Sequence, residues 1–416
     1  MSQVHVAMLG ARMHYAVPVL LNELGLLGRF YTDSYLGNKP WLEKMLLKIG
    51  PTTRHRQLMK WLGRSAPIPP EKVTSYEMLG FNYWWLRRKT RGFRESGKMF
   101  AYVNRLFNSK VITSGLNGAD IIYGCNYASL EIFQYAKQRG IRCILEQTMA
   151  PLQLYHDLLY EESETWPDWL PALDIRSETR HPLSKREQRE WELADTIVSG
   201  SDFVSTSLVQ RGVPQEKCAV VPYGIDIRKF SSHRGERRGG KLRILFAGEV
   251  GLRKGAPYLL KALAQMDPHS VEARFAGQLS VNNQKLKPFE SVAQFLGPVP
   301  RMRMQELFSW ADVFVLPSIC EGSATVTYEA LANGLPVITT PNAGSMVRDG
   351  IDGHILPIRD ADGISSVLNR YIVHPEYLAE QRRAAIAGRQ ALSLEAYKER
   401  LAMIFAGLVC RAPVDV

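Results

Sequence analysis

The chain has 416 residues, 45% apolar and 22% charged, with a formal net charge of +11; this is the make-up of a globular protein of about two domains and excludes low-complexity or fibrous chains. Its five cysteines (Cys125, Cys143, Cys218, Cys320 and Cys410) are scattered and form no CxxC pair, which argues against a disulfide framework or a zinc site and for a reducing cytosol. The opening MSQVHVAML is too short and too poor in cations for a signal peptide, and no stretch nears the ~20 apolar residues of a membrane span, so the chain reads as cytoplasmic, soluble or peripheral on the inner face of the cell membrane.

In chain order, residues 4–9 read as a buried strand, followed by Gly10, the turn ARMHY and an apolar helix over 17–27. This opening resembles the first βα unit of a Rossmann-like domain, without GxGxxG. Residues 38–110 then interrupt the alternation. They carry 16 Lys and Arg against 4 Asp and Glu, a surplus of 12 that leaves the rest of the chain near neutral. WLEKMLLKIG, RQLMKWLG and FNYWWLRRKTRGFR set aliphatic and aromatic residues among cations. Such a basic helical insertion either lies on an anionic membrane surface or packs its aromatics on the domain and solvates its charges. No nucleic-acid module accompanies it, and no nucleic acid is expected as a partner. Strands at 120–123 and 142–146 flank a helix over 130–139, and a charged helix follows at 184–194. SSHRGERRGG, at 231–240, is a polar linker. Beyond it come a strand at 244–247, a loop from Gly248 to Gly255, a helix, and strands near 273–277 and 292–296.

Residues 312–353 gather these elements around a site. Two short apolar runs, at 313–316 and 335–340, read as buried parallel strands, with a helix over 325–333 between them and Gly334 as its stop. Glu321 sits beyond the first strand and Glu329 on the helix. The amides of Gly322, Ser323, Ala324 and Thr325 would emerge at the positive end of that helix, where a diphosphate is at home. Eight residues at helical rise span up to ~12 Å, so one carboxylate can face a sugar while the other accepts from a ribose diol. The plainer alternative is an N-terminal helix acid and a solvated one. Later, Asp360 and Asp362 spell D-x-D but precede a helix, where Asp is a routine cap.

EGSATVTYEALANGLPVI resembles the E-x7-E signature of retaining glycosyltransferases of the family 4 type (glycosyl transferases group 1), with Ala324 where glycine is common. ADTIVSGSDFVSTSLVQRG and CAVVPYGIDIRKF also resemble that family, with Tyr223 in place of its usual Asn. The resemblance implies an α/β fold of two Rossmann-like domains facing across a cleft (GT-B). They would span residues 1–226, holding the insertion at about 38–110, and 227–391, with a helix over 392–416 packing back on the first domain. It implies a metal-independent, cofactor-free transferase moving sugar from a nucleotide-diphosphate donor to a glycan or lipid-linked acceptor, as in surface polysaccharide or glycolipid biosynthesis. Lys254 and Arg253 would hold the diphosphate and Glu321 the sugar. Gly10, Gly248, Val299 and Glu329 would line the donor, and His14 and Glu146 would face the acceptor. A sugar-nucleotide epimerase or phosphorylase on the same fold, or a non-catalytic scaffold binding sugar nucleotides, are the alternatives.

Overall fold

The computed structural model describes residues 3–39, 64–90, 93–167, 169, 183–230 and 240–409. Seven strands form the first sheet: β1 (Val4–Met8), β2 (Leu27–Thr32), β3 (Val73–Ser75), β4 (Ile121–Cys125), β5 (Arg142–Gln147), β6 (Thr196–Ser199) and β7 (Cys218–Val220), in spatial order 3-2-1-4-5-6-7. Six form the second: β8 (Leu242–Ala247), β9 (Val271–Ala276), β10 (Ala293–Gly297), β11 (Val313–Leu316), β12 (Val337–Thr339) and β13 (Gly353–Ile355), in order 10-9-8-11-12-13. Every pairing is parallel. β1 and β4 are buried at every position, and so is β11, because parallel sheets are covered on both faces and reward continuous apolar runs. This is the expected GT-B architecture.

In each sheet the strand order reverses between two central neighbours, β1 and β4 in one, β8 and β11 in the other. A crevice opens at the carboxyl ends of such a pair.

The stretch read as an insertion needs correction. Residues 73–75 are a sheet strand, not part of a departure from the alternation; α1 (Ala16–Glu23) joins β1 to β2, and α2 (Glu77–Lys89) and α3 (Phe93–Ser114) carry the chain from β3 over to β4. Met99, Val103, Phe107 and Val111 recur every fourth residue along α3 and are buried under the sheet. That helix is an ordinary crossover whose outer face happens to be charged. WLEKMLLKIG and RQLMKWLG lie outside the described residues.

The last helix, over Leu394–Val409, returns to the first domain. Phe405 lies against Tyr123 of β4 with ring centres 6.2 Å apart, Tyr397 meets Tyr223 edge-on at 6.0 Å, and Lys398 pairs with Glu23 at 2.7 Å. The two passages between domains run side by side, Ile225 N donating to Leu392 O at 2.9 Å. Among the described residues no helix is long and apolar enough to cross a membrane.

Candidate functional site

The loops after β8 and β11 are fastened to each other before any side chain is considered. Ile319 N donates to Arg253 O at 2.9 Å. Gly255 has φ +68°, and a Cβ there would lie 1.8 Å from Pro317 O. Only glycine permits that approach. The backbone thus delivers Arg253 and Lys254 to Glu321. Lys254 Nζ stands 2.7 Å from Glu321 Oε1, Arg253 Nη1 donates to the same oxygen, and Arg253 Nη2 lies 3.6 Å from Glu249. Lys254 and Glu321 are both 8% exposed. Burial pushes the Lys254 ammonium below its ordinary value, and Arg253 beside it adds to that, with Glu321 opposing. Burial also works against the Arg253 charge, but Glu321 outweighs it and holds Arg253 above its usual value. Arg253 and Lys254 stand side by side, balanced by the buried Glu321 and by the more exposed Glu249; in a low-dielectric crevice such a pair can meet a polyanion once Glu321 turns away.

The amides after Glu321 are more committed than the sequence suggested. Ala324 N donates to Ala343 O at 2.9 Å and Glu321 N to Asn342 O at 3.0 Å, so Ala324 is withdrawn from the anion-binding amides: a backbone carbonyl already satisfies it. Gly322 serves the domain contact. A Cβ there would sit 1.8 Å from Thr148 O, and its own carbonyl accepts from Ser201 Oγ at 2.5 Å. Ser323 Oγ bonds Tyr328 Oη at 2.7 Å. Gly248 has φ +144°, and a Cβ there would press on Lys254 Cε at 3.3 Å; the missing side chain is the space through which Lys254 runs.

Glu329 and Thr325 line a cavity of ≈ 830 Å³ with His14 and Arg301. Arg301 Nη2 stands 3.7 Å from Glu329 Oε1 and Nη1 lies 3.0 Å from His14 Nε2. One arginine therefore spans the cleft between two residues singled out from the sequence. Burial raises the Glu329 carboxyl above its ordinary value and Arg301 opposes that; burial lowers the His14 imidazole, and Arg301 adds to it. Val299 is half-buried just before Arg301. Arg301 was missed in the sequence. Its one sign is a cation opening a helix (Arg301–Trp310), where the dipole disfavours it.

On the first domain, Met13, His14 and Tyr15 hold φ of +44°, +52° and +62°, a left-handed run that costs of order 1–3 kcal/mol per residue. Tyr15 pins it: its ring sits edge-on to Phe30 and Tyr35 at 5.4 and 5.5 Å, and its hydroxyl donates to Ser34 O at 3.2 Å. Gly10 N donates to Asp33 Oδ1 at 2.9 Å, so Gly10 offers a ligand its α-carbon, not its amide. Glu146 does not face the cleft. It is 2% exposed, and its Oε1 accepts from Tyr223 Oη at 2.8 Å. The acceptor-side expectation for Glu146 is thereby corrected: it closes a buried contact with the segment just after β7, made by Tyr223, the residue that stands where the resembled family usually has asparagine. Asp360 Oδ1 accepts from Gly363 N at 2.7 Å as the cap of the helix Ala361–Val373, and Asp362 accepts from Gln265. Among the described residues no group of three or more His, Cys, Asp or Glu is placed to hold a metal ion.

Residues 241–373 match the family model of glycosyl transferases group 1, the family that the motif resembled. A putative colanic acid biosynthesis glycosyltransferase, WcaL of Salmonella typhimurium, is 26% identical over 217 residues, covering 48% of this chain and 53% of that protein. A D-inositol 3-phosphate glycosyltransferase of Paenarthrobacter aurescens is 30% identical over 267 residues, covering 55% and 64%. The chain spans about half the length of the curated relatives it matches. In fold, it superposes on HepE of Anabaena, solved with UDP and glucose, at a TM-score of 0.61 and 14% identity over 98% of this chain and all of that one. WaaG, a glycosyltransferase involved in lipopolysaccharide biosynthesis, gives 0.61 and 14% over 97% and 99%.

Proposed function

We propose that this chain, in which residues 241–373 match the glycosyl transferases group 1, is a retaining, metal-independent glycosyltransferase that moves a hexose from a nucleotide-diphosphate sugar to a glycan or lipid-linked acceptor in surface polysaccharide biosynthesis. The observation that carries the reading is the buried cluster of Lys254, Arg253 and Glu321 at the strand-order reversal of the second sheet. As the bond from the sugar to the diphosphate breaks, negative charge grows on the leaving phosphate. Arg253 and Lys254 meet it with fixed charge that needs no rearrangement from water. Glu321 releases them towards the phosphate and turns to the sugar hydroxyls, while Glu329 accepts from the ribose. The sugar, nucleotide and acceptor types of the relatives named above lend support to this class of donor and acceptor.

The acceptor surface extends to the outer face of α2. Met78, Phe81 and Trp85 are 71, 49 and 46% exposed, with Arg88 over the Trp84 ring at 4.6 Å and Lys89 over Trp85 at 3.5 Å. Aromatics among cations on an open helix face suit the interface of an anionic membrane, where a lipid-linked acceptor would be met.

The test is slow donor hydrolysis without acceptor. Across a panel of nucleotide sugars, the protein should release free sugar from one or a few, with the anomeric configuration retained and the rate unchanged by EDTA. Release from none, together with no affinity for any nucleoside diphosphate, overturns the reading.

A further inference from the structure

A second cavity, of ≈ 510 Å³, opens in the first domain beyond β1 and β4 and meets the second domain at Arg253. Its walls are largely apolar, with Leu9, Phe100 and Met149 among them. Its floor is different. Asn126, the residue after β4, is fully buried there. Its Oδ1 accepts from Thr148 Oγ1 at 2.9 Å and from Thr148 N at 3.4 Å, which fixes the amide's orientation. Its Nδ2 is buried without a hydrogen-bond partner among the described residues. A buried donor left without an acceptor is costly, so native structures seldom keep one without a use.

Arg12 lies on the same floor, its Nη1 donating to Thr148 Oγ1 at 2.8 Å. The threonine hydroxyl therefore accepts from Arg12 and donates to Asn126, tying the two together. Among the described residues Arg12 has no carboxylate in an ion pair with it. The other charges nearby are matched: Asp33 by Arg64 at 2.8 Å and by Gly10 N, Arg253 by Glu321 and Glu249. Glu146, behind Arg12, is engaged by Tyr223 and, at 3.7 Å, by Cys125. Burial works against the Arg12 charge, but Cys125 and Glu146 outweigh it and hold the guanidinium above its usual value; the floor thus offers a cation without an ion-paired carboxylate and, in Asn126 Nδ2, a donor without a partner among the described residues.

We propose that Arg12 and Asn126 hold an anionic oxygen group, a carboxylate or a phosphate, on the acceptor, so that the acceptor is an acidic or phosphorylated sugar. The proposal rests on the glycosyltransferase reading and names the substrate class of its acceptor side. A guanidinium and an adjacent amide present two donors to one anion, and charge-assisted bonds of this kind are the strong ones.

The donor site is first saturated with the nucleoside diphosphate that binds best, so that Arg253 and Lys254 are occupied. Calorimetric titration with glucose, glucuronate and glucose 6-phosphate then reads the floor alone. At least one acidic sugar should bind tenfold or more tightly than glucose. The larger gain, with glucuronate or with the phosphate ester, says which anion the site takes. Arg12→Gln should erase the preference, Arg12→Lys should keep part of it, and Asn126→Ala should weaken the acidic sugar severalfold. All three should keep nucleotide affinity within twofold, which also shows that they fold. Equal affinity for the three sugars, binding of none, or a preference that survives Arg12→Gln overturns the proposal. Donor hydrolysis without acceptor is read separately, so a protein that cleaves donor but shows no acidic preference fails here and leaves the transferase reading intact.

Discussion

Glu329 and Glu321 carry the same charge in surroundings that ask different things of them. Among the described residues Glu329 has one cation beside it, at 3.7 Å, and is largely desolvated, so it gains most from a ligand that brings hydroxyls. Two charge-assisted hydrogen bonds are worth roughly 1.5–3 kcal/mol each. Glu329→Gln should therefore lower nucleoside diphosphate affinity at least tenfold, about 1.4 kcal/mol, in a calorimetric titration. Glu321 instead divides itself between Arg253 and Lys254 and competes with the phosphate for both. Glu321→Gln should leave nucleotide affinity unchanged or raised while turnover falls by two orders of magnitude or more, about 2.7 kcal/mol. Equal losses of affinity in the two variants would refute this division. Lys254→Ala removes a cation that is already desolvated, so turnover with the best donor should drop at least a hundredfold. A rate near that of the unaltered protein would dismiss the phosphate role.

The helix Ser184–Leu193 shows how an element can hold a site that it never touches. Glu190 accepts from the amides of Tyr127, Ser129 and Leu130 at 2.6, 2.8 and 3.0 Å, closing the start of the helix Leu130–Lys137. Glu187 accepts from Leu152 N at 2.9 Å at the start of the helix Leu152–Thr165 and from Gln147 at 2.8 Å. Burial lifts both carboxyls against these hydrogen bonds, Glu187 to about 7 and Glu190 to about 8. With folded values above the unfolded one, the folded state holds extra protons, and the stability they bring is complete below about pH 4.5 and lost as pH rises through 7 to 8. The melting temperature should fall across that window, and Glu187→Gln should flatten the fall; parallel curves would refute it. The sequence showed this helix as charged but gave no sign that its acids face inward, because i, i+3 spacing is the same on a solvated face. The central unit was legible for the opposite reason: 313–316 and 325–333 are a continuous apolar run and a helix ended by Gly334, patterns with one physical reading. β2 and β3 were missed because LGRFYT breaks its apolar run with Arg29 and VTS is three residues long. The helix Phe93–Ser114 was read as an insertion because its cations masked a buried stripe. Lys254, Glu321 and Glu329 could be named from local motifs, whereas Arg12, Asn126 and Arg301 owe their place to contacts across the fold.

The whole molecule is held closed by contacts with little tolerance. Thr148 O lies where a side chain at Gly322 would begin, and Glu162, fully buried, accepts from Tyr258 Oη at 2.8 Å and Arg359 Nε at 2.6 Å across the domains. Gly322→Ala should force the cleft open, slowing turnover at least tenfold and enlarging the radius of gyration of the nucleotide-bound protein in solution scattering. Unchanged scattering and turnover would show that this approach is dispensable. The exposed aromatics of α2 should carry the protein to vesicles containing anionic lipid and release it as salt shortens the ~8–10 Å screening length. Phe81→Ala with Trp85→Ala should reduce that binding, and equal sedimentation with neutral vesicles would dismiss it. The returning helix, finally, sets a timetable for the chain's own making. Phe405 and Tyr397 fill spaces beside Tyr123 and Tyr223, yet they leave the ribosome only after the entire second domain. At ≈ 5–20 residues per second, that delay is on the order of ten to forty seconds, during which the first domain waits with an apolar flank uncovered, a client for whatever chaperone stands nearest the tunnel.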